Sequence, residues 1–139
     1  MKIFENKAAL AAASLKEGQI VTTKGYYTAG DGGGATYLIK TAAAFGGTPD
    51  GYGDHSLANG NVAVLQHNGS VNVKQFGAEG GDETKDQPAI LAAFTLLAKQ
   101  TWPGGVVYFP RSTLPYKMSA MIDTLQLLFT QQGMTYPPT

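Results

Sequence analysis

At 139 residues the chain has room for one domain or two small modules, at roughly 100–200 residues per domain, and none for a large catalytic barrel. Charged residues make up 14% where soluble domains average about 25%, and ten acidic residues balance ten basic ones, so the Lys/Arg surplus that a nucleic-acid binder needs is missing. With no cysteine, disulfides, thiolate nucleophiles and thiolate metal sites are excluded, and 18 glycines point to a loop-rich, β-containing fold.

Lys2 precedes a run of small residues from Ala8 to Ser14, but Glu5, Asn6 and Lys7 interrupt any apolar core, so no signal peptide is read there. Nowhere do about 18 apolar residues follow one another, so no membrane-spanning helix is expected. Residues 6–15 read instead as a short helix, with Asn6 as its N-cap and Leu10 and Leu15 on one side. So short a helix does not hold itself in water and must pack on something. Its apolar side exceeds what a small core hides, which assigns Leu10 and Leu15 to subunit docking. Residues 1–17 are accordingly an N-terminal helical segment.

Residues 18–75 read as a glycine-rich β module. Gln19 to Thr23 and Thr36 to Ile39 are β-branched and aromatic runs on either side of Ala29-Gly30-Asp31-Gly32-Gly33-Gly34-Ala35, giving strand, glycine loop, strand. From Thr41 to Gly60, turn-forming Gly, Pro and Asp residues mark a loop region. Asn61 to Leu65 and Ser70 to Lys74 flank Asn68-Gly69, the strongest short-range hairpin signal, and predict an antiparallel β-hairpin.

Residues 86–100 carry the clearest helical pattern. Asp86 or Gln87 is the expected cap, Pro88 fits a first turn where its missing N–H costs nothing, and Ile90, Phe94 and Leu97 recur on one face. Pro103-Gly104-Gly105 ends the helix, Val106 to Phe109 reads as a buried strand stopped by Pro110, and Tyr116 to Met118 as one more strand. A second helix is read over 120–132, with Ile122, Leu125 and Phe129 on its apolar side as further docking residues and Gly133 as its stop.

No pattern of catalytic residues survives a mechanical test. Gly30-x-Gly32-x-x-Ala35 satisfies the dinucleotide fingerprint in letters, but that motif works by opening a helix whose N-terminus holds the pyrophosphate, and here a strand follows. Asp82, Glu83 and Asp86 are the densest carboxylates, yet they precede a helix, where acids cap and meet the dipole. His55 and His67 stand too far apart for a metal motif, Asp31, Asp50 and Asp54 sit among glycines as turn residues, and Tyr26, Tyr27, Tyr37, Tyr52 and Tyr108 read as core aromatics. No cofactor is expected.

Val73-Lys74-Gln75-Phe76-Gly77-Ala78-Glu79-Gly80-Gly81-Asp82-Glu83-Thr84-Lys85-Asp86-Gln87-Pro88-Ala89-Ile90 resembles the opening of the pectate-lyase-like right-handed β-helix family, whose pattern is V-x-x-F-G-A-x-G-D-G-x-T-D-D-T-x-A-I. Gly104-Gly105-Val106-Val107-Tyr108-Phe109-Pro110 resembles its second half, one helix later. Upstream, Gly25-Tyr26, Gly30 to Ala35, Tyr37 and Leu57-Ala58-Asn59-Gly60 resemble the module that precedes this β-helix in bacteriophage tailspikes and tail fibres. The resemblance departs at Gly80-Gly81-Asp82, where the family has G-D-G, and over Pro110 to Tyr116, which carries two extra residues.

The resemblance implies an α+β fold, mainly β with a few short helices. A small antiparallel β module would be followed, over 76–139, by the capped first turn of a right-handed β-helix. Phe76, Ile90, Phe94, Leu97 and Tyr108 would form the core of that cap. It further implies a homotrimeric virion protein, made in the host cytoplasm, with phage tail or baseplate proteins, other spike or fibre subunits and host surface polysaccharide as partners, and neither nucleic acid nor membrane among them. The strand repeats expected every ~20–25 residues do not follow Ser119, and a solenoid needs at least about three of them. The family's acid residues belong to that body, so none is carried over. The function expected is a tailspike or tail-fibre anchor or adaptor without enzymatic activity. The alternative is the N-terminal remnant of a polysaccharide-degrading tailspike, a lyase or glycosidase.

Overall fold

The structure, a computed structural model, describes residues 1–99 and 104–119. The helix expected over 120–132, with Ile122, Leu125 and Phe129, lies outside the described residues. Among the described residues, seven strands and three α-helices follow in the order β1 (Lys2–Phe4), α1 (Lys7–Ala11), β2 (Ile20–Thr23), β3 (Thr36–Lys40), α2 (Ala42–Phe45), β4 (Asp54–Ser56), β5 (Val62–Leu65), β6 (Ser70–Asn72), α3 (Glu83–Ala98) and β7 (Val106–Tyr108), with a 3₁₀ turn over Val73–Phe76. The result is an α+β arrangement of mixed sheets and short helices.

Five strands form one sheet in the order β1-β2-β3-β5-β4. The strand, glycine loop, strand reading holds: β2 and β3 pair antiparallel with Val21 opposite Tyr37. The sheet is not wholly antiparallel, because β1, which has no signature in so short a run, lies parallel to β2 with α1 as the crossover. The 41–60 region also holds more structure than its glycines suggest. Thr41 caps α2 by accepting from the Ala44 amide (3.1 Å), and β4 adds to the edge of β5.

Asn6 caps α1 as expected, its side-chain oxygen accepting from the Ala9 amide (2.9 Å). The helix is shorter than 6–15 because the loop before β5 takes its C-terminal carbonyls: Ala58 N donates to Ala11, and the Asn59 and Asn61 amides both donate to Leu15 O (2.9 Å). Leu10 and Leu15 are 0% and 1% exposed, so the docking role expected of them is corrected. Five sheet strands give this small chain more inward surface than its helices alone supply, and both leucines are used to fill it.

The hairpin about Asn68-Gly69 does not form. The turn is there, with Gly69 at φ +96° and its amide donating to His67 Nδ1 (3.0 Å). But β5 already has β3 on one edge and β4 on the other, so no edge remains for β6. The chain leaves the sheet, and β6 pairs parallel with β7 as a separate two-stranded sheet, Val71 opposite Val107.

α3 begins three residues before the expected start. Its cap is Asp82, which accepts from the Thr84 amide (3.0 Å), not Asp86 or Gln87, and Pro88 is therefore an interior residue without an N–H for the carbonyl of Thr84. The buried stripe is Asp86, Ala89, Ile90, Ala93 and Leu97. Phe94 is only partly buried, since at about 100° per residue it lies roughly 80° from the centre of that stripe. Phe76, Ile90 and Leu97 are buried as expected, whereas Tyr108 is 59% exposed and leaves the expected core. Val106 is equally open, because among the described residues β6 and β7 are covered on one face only, the face that carries Val71 and Val107. Residues 116–118 form no strand; Tyr116 and Met118 pack at the margin of the core. One hydrophobic cluster runs from Leu10 and Leu15 through Tyr37, Ile39 and Leu65 to Phe76, Ile90 and Leu97, so the three segments of the sequence share a single core.

Candidate functional site

The glycine loop, the 3₁₀ turn and the start of α3 meet at the junction between the two sheets. Asp31 shapes the loop: its carboxylate accepts from the amides of Tyr26 (3.0 Å), Tyr27 (2.8 Å), Thr28 (3.1 Å) and Gly33 (2.8 Å). Burial works to raise its pKa, and the four backbone hydrogen bonds together outweigh burial, leaving the carboxyl below its usual range. Gly33 is a steric requirement, since a Cβ there would lie 2.5 Å from the Lys74 carbonyl oxygen and 2.7 Å from Tyr26 Cβ. The loop leads into β3, so it grips protein and no helix N-terminus stands behind it.

Tyr27 spans the junction, its hydroxyl donating to the Gly77 carbonyl (2.7 Å) while Lys85 Nζ lies 4.7 Å over its ring and pairs with Glu79 at 3.0 Å. Burial, with the nearby carboxylates of Glu79, Asp82 and Asp86 adding to it, pushes the phenol up to about 12. Beside it lies a shallow cleft of about 190 Å³ lined by Tyr27, Thr28, Asp31, Lys74, Ala78 and Glu79.

Two carboxylates at the head of α3, Asp82 and Asp86, hold backbone amides. Asp82 caps; its Thr84 hydroxyl partner (2.6 Å) holds it below the usual range. Asp86, fully buried, accepts from Glu79 N (2.9 Å) and Gly80 N (3.0 Å) on one oxygen and from Asp82 N (3.3 Å) and Lys117 N (3.0 Å) on the other. It therefore ties residues 79–82 and 117 to the helix. The sequence shows an acid there but not that it is the hub of two loops. Among the described residues no group of three or more His, Asp and Glu side chains is placed to hold a metal.

His55 is 4% exposed between Tyr26 and Tyr37 (ring centroids 5.9 and 5.7 Å apart), and among the described residues its Nε2 has no hydrogen-bond partner. Burial, reinforced by Lys7, lowers its pKa to about 4, while burial and Asp50 raise that of its neighbour Asp54 to about 6. The signs oppose. His55 contributes stability that is full above pH 6.5 and lost as pH falls towards 4; Asp54 contributes stability that is full below its ordinary value and lost as pH rises through 6. Between pH 6 and 4 the two oppose each other in the native protein. Asp54→Asn leaves the histidine unopposed and is expected to lose about 1 kcal/mol relative to wild type as pH falls from 6.5 to 4, since solvent at the half-buried Asp54 screens much of the effect. His55→Phe is expected to gain on acidification, and urea midpoints at pH 7 and 4.5 check both.

The fold is similar to a region of a bacteriophage tailspike, a phage tail structural protein. A similar solved structure is the tailspike protein gp49 from Acinetobacter baumannii bacteriophage Fri1, described as a capsular polysaccharide depolymerase, with a TM-score of 0.63 and 25% sequence identity. The match covers 80% of this chain and 20% of that one, so the present chain corresponds to a small part of the tailspike's length. No protein-family model matches the sequence, and no curated protein does.

Proposed function

We propose that the chain is an anchor or adaptor of a bacteriophage tail that acts as a homotrimer, attaches a receptor-binding spike to the tail or baseplate and so takes part in host adhesion, without catalysing a reaction itself. The observation that carries this reading is the order of parts: a five-stranded sheet followed by a parallel β6–β7 pair bridged by α3. Two parallel three-residue strands are marginal alone. The outer edge of β7 is unpaired among the described residues, and Val106, Tyr108, Phe109 and Leu114 around it are at least a third exposed, so the pair serves as the first rung on which further parallel strands stack. With Leu10 and Leu15 buried, docking passes to this strip and to Ile3 and Ile20, which are 63% and 49% exposed on neighbouring strands of the large sheet.

Light scattering of the purified chain and retention of tail or baseplate proteins on it test the reading. A trimer that retains them is expected; a monomer at micromolar concentration that retains none would overturn it. The second reading, the front end of a polysaccharide-degrading spike, draws on the description of the structural neighbour as a depolymerase and on the small share of that protein covered here. It predicts further parallel-strand repeats encoded downstream of Thr139 in the same reading frame, and it is lost if a stop codon follows.

A further inference from the structure

We propose that the glycine-rich loop 25–35 is a socket that locks the turn 72–78 in one orientation, making the junction between the two sheets a rigid joint. The anchor reading supplies its purpose: whatever follows β7 is held at one fixed angle to the five-stranded sheet. Three segments are interlocked in a closed ring of contacts. The loop meets the turn through Tyr27, which donates to Gly77 O (2.7 Å), and through Gln75, whose Nε2 donates to Gly34 O (3.3 Å). The turn meets the 50–54 loop where the Phe76 ring fills the place of a side chain at Gly53, a Cβ there lying 2.7 Å from its Cε2. The 50–54 loop returns to the glycine loop through the Tyr26 hydroxyl, which reaches both Gly51 O (3.2 Å) and Tyr52 O (3.3 Å).

Each segment is also stiffened on its own. Asp31 braces the glycine loop with four amides, Asp50 braces its loop by accepting from the amides of Tyr52, Gly53 and Asp54 (2.8 to 3.1 Å), and Asn72 and Gln75 close a reciprocal capping box on the turn. A joint made of preformed pieces leaves little conformational freedom to lose on assembly.

The native absence of cysteine permits clean labelling: nitroxides at Glu17→Cys and Leu91→Cys, both exposed, report the angle across the joint by pulsed electron resonance on the full chain diluted with unlabelled protein. A single sharp distance is expected. Gly33→Ala, which wedges a methyl against Lys74, is expected to shift that distance. The double variant Tyr27→Phe/Gln75→Ala removes both hydrogen bonds without adding volume, and loss of the single sharp distance is expected with helical circular dichroism retained. A broad distribution in the native chain, or an unchanged distance in the folded double variant, overturns the joint. Either failure leaves the anchor reading to be judged by trimer formation and retention of tail proteins, which do not depend on the label distance.

Discussion

Leu10→Asp is expected to unfold the chain rather than leave a folded protein that has merely lost a docking contact. Leu10 has no exposed surface and belongs to the central hydrophobic cluster. Removing its side chain alone costs about 2–5 kcal/mol in transfer and cavity terms. A carboxylate in the same space adds the penalty for a buried charge, and among the described residues no basic group is hydrogen-bonded or ion-paired in that cluster to relieve it. The sum, about 5 kcal/mol or more, is comparable to the whole stability of a small domain. Ile3→Asp is the matched control for folding: on the outer strand, 63% exposed and among the residues proposed for docking, it is expected to shift protomer stability by less than about 0.5 kcal/mol, any larger loss falling on assembly. Circular dichroism and urea midpoints for the two variants check this. A folded Leu10→Asp protein would return that residue to the surface.

The contrast between these two positions shows what the sequence holds and what it does not. Asn6 and the runs that form β2 and β3 act locally, through a cap that bonds three residues on and through β-branched side chains that suit a pleated strand, so their elements are legible. The turn at Asn68-Gly69 is local too, and it forms. Its partner is not local: whether two flanking runs become a hairpin depends on free strand edges, and β3 and β4 had taken both edges of β5. The same limit explains Leu10, Leu15 and Tyr108. Periodicity reveals that a face is apolar, while the layer that covers it comes from elsewhere in the chain. Hence Leu10 is sealed in and Tyr108 left open, although each was read from an equally good local pattern. The junction is legible as motifs, because its glycines and acids are distinctive, but the contacts of Tyr27 with Gly77 and of Gly53 with Phe76 join residues up to fifty positions apart.

Asp86 is the site where a small chemical change is expected to separate these levels most sharply. A buried carboxylate is tolerated when hydrogen bonds replace its hydration, and four backbone amides do so here. Asp86→Ala removes all four acceptor contacts and leaves amides of Glu79, Gly80, Asp82 and Lys117 facing a cavity. The expected loss is about 3–5 kcal/mol, the range for breaking a buried charged network from one side. Asp86→Asn keeps the shape and one acceptor oxygen but turns an NH₂ group towards two N–H donors, so it is expected to lose nearly as much despite being isosteric. A merely space-filling Asp86 predicts the opposite order, with Asn close to wild type, and denaturant titration of the two variants distinguishes them. Because Gly81 N also donates to Pro115 O (2.7 Å), the release is expected to spread along 79–82 and 114–118 before it reaches the large sheet. Amide exchange in Asp86→Asn should therefore rise first in those two segments, with β2 and β3 still protected. Equal loss of protection throughout would mean that the clasp is inseparable from the single core that Leu10 and Ile90 share.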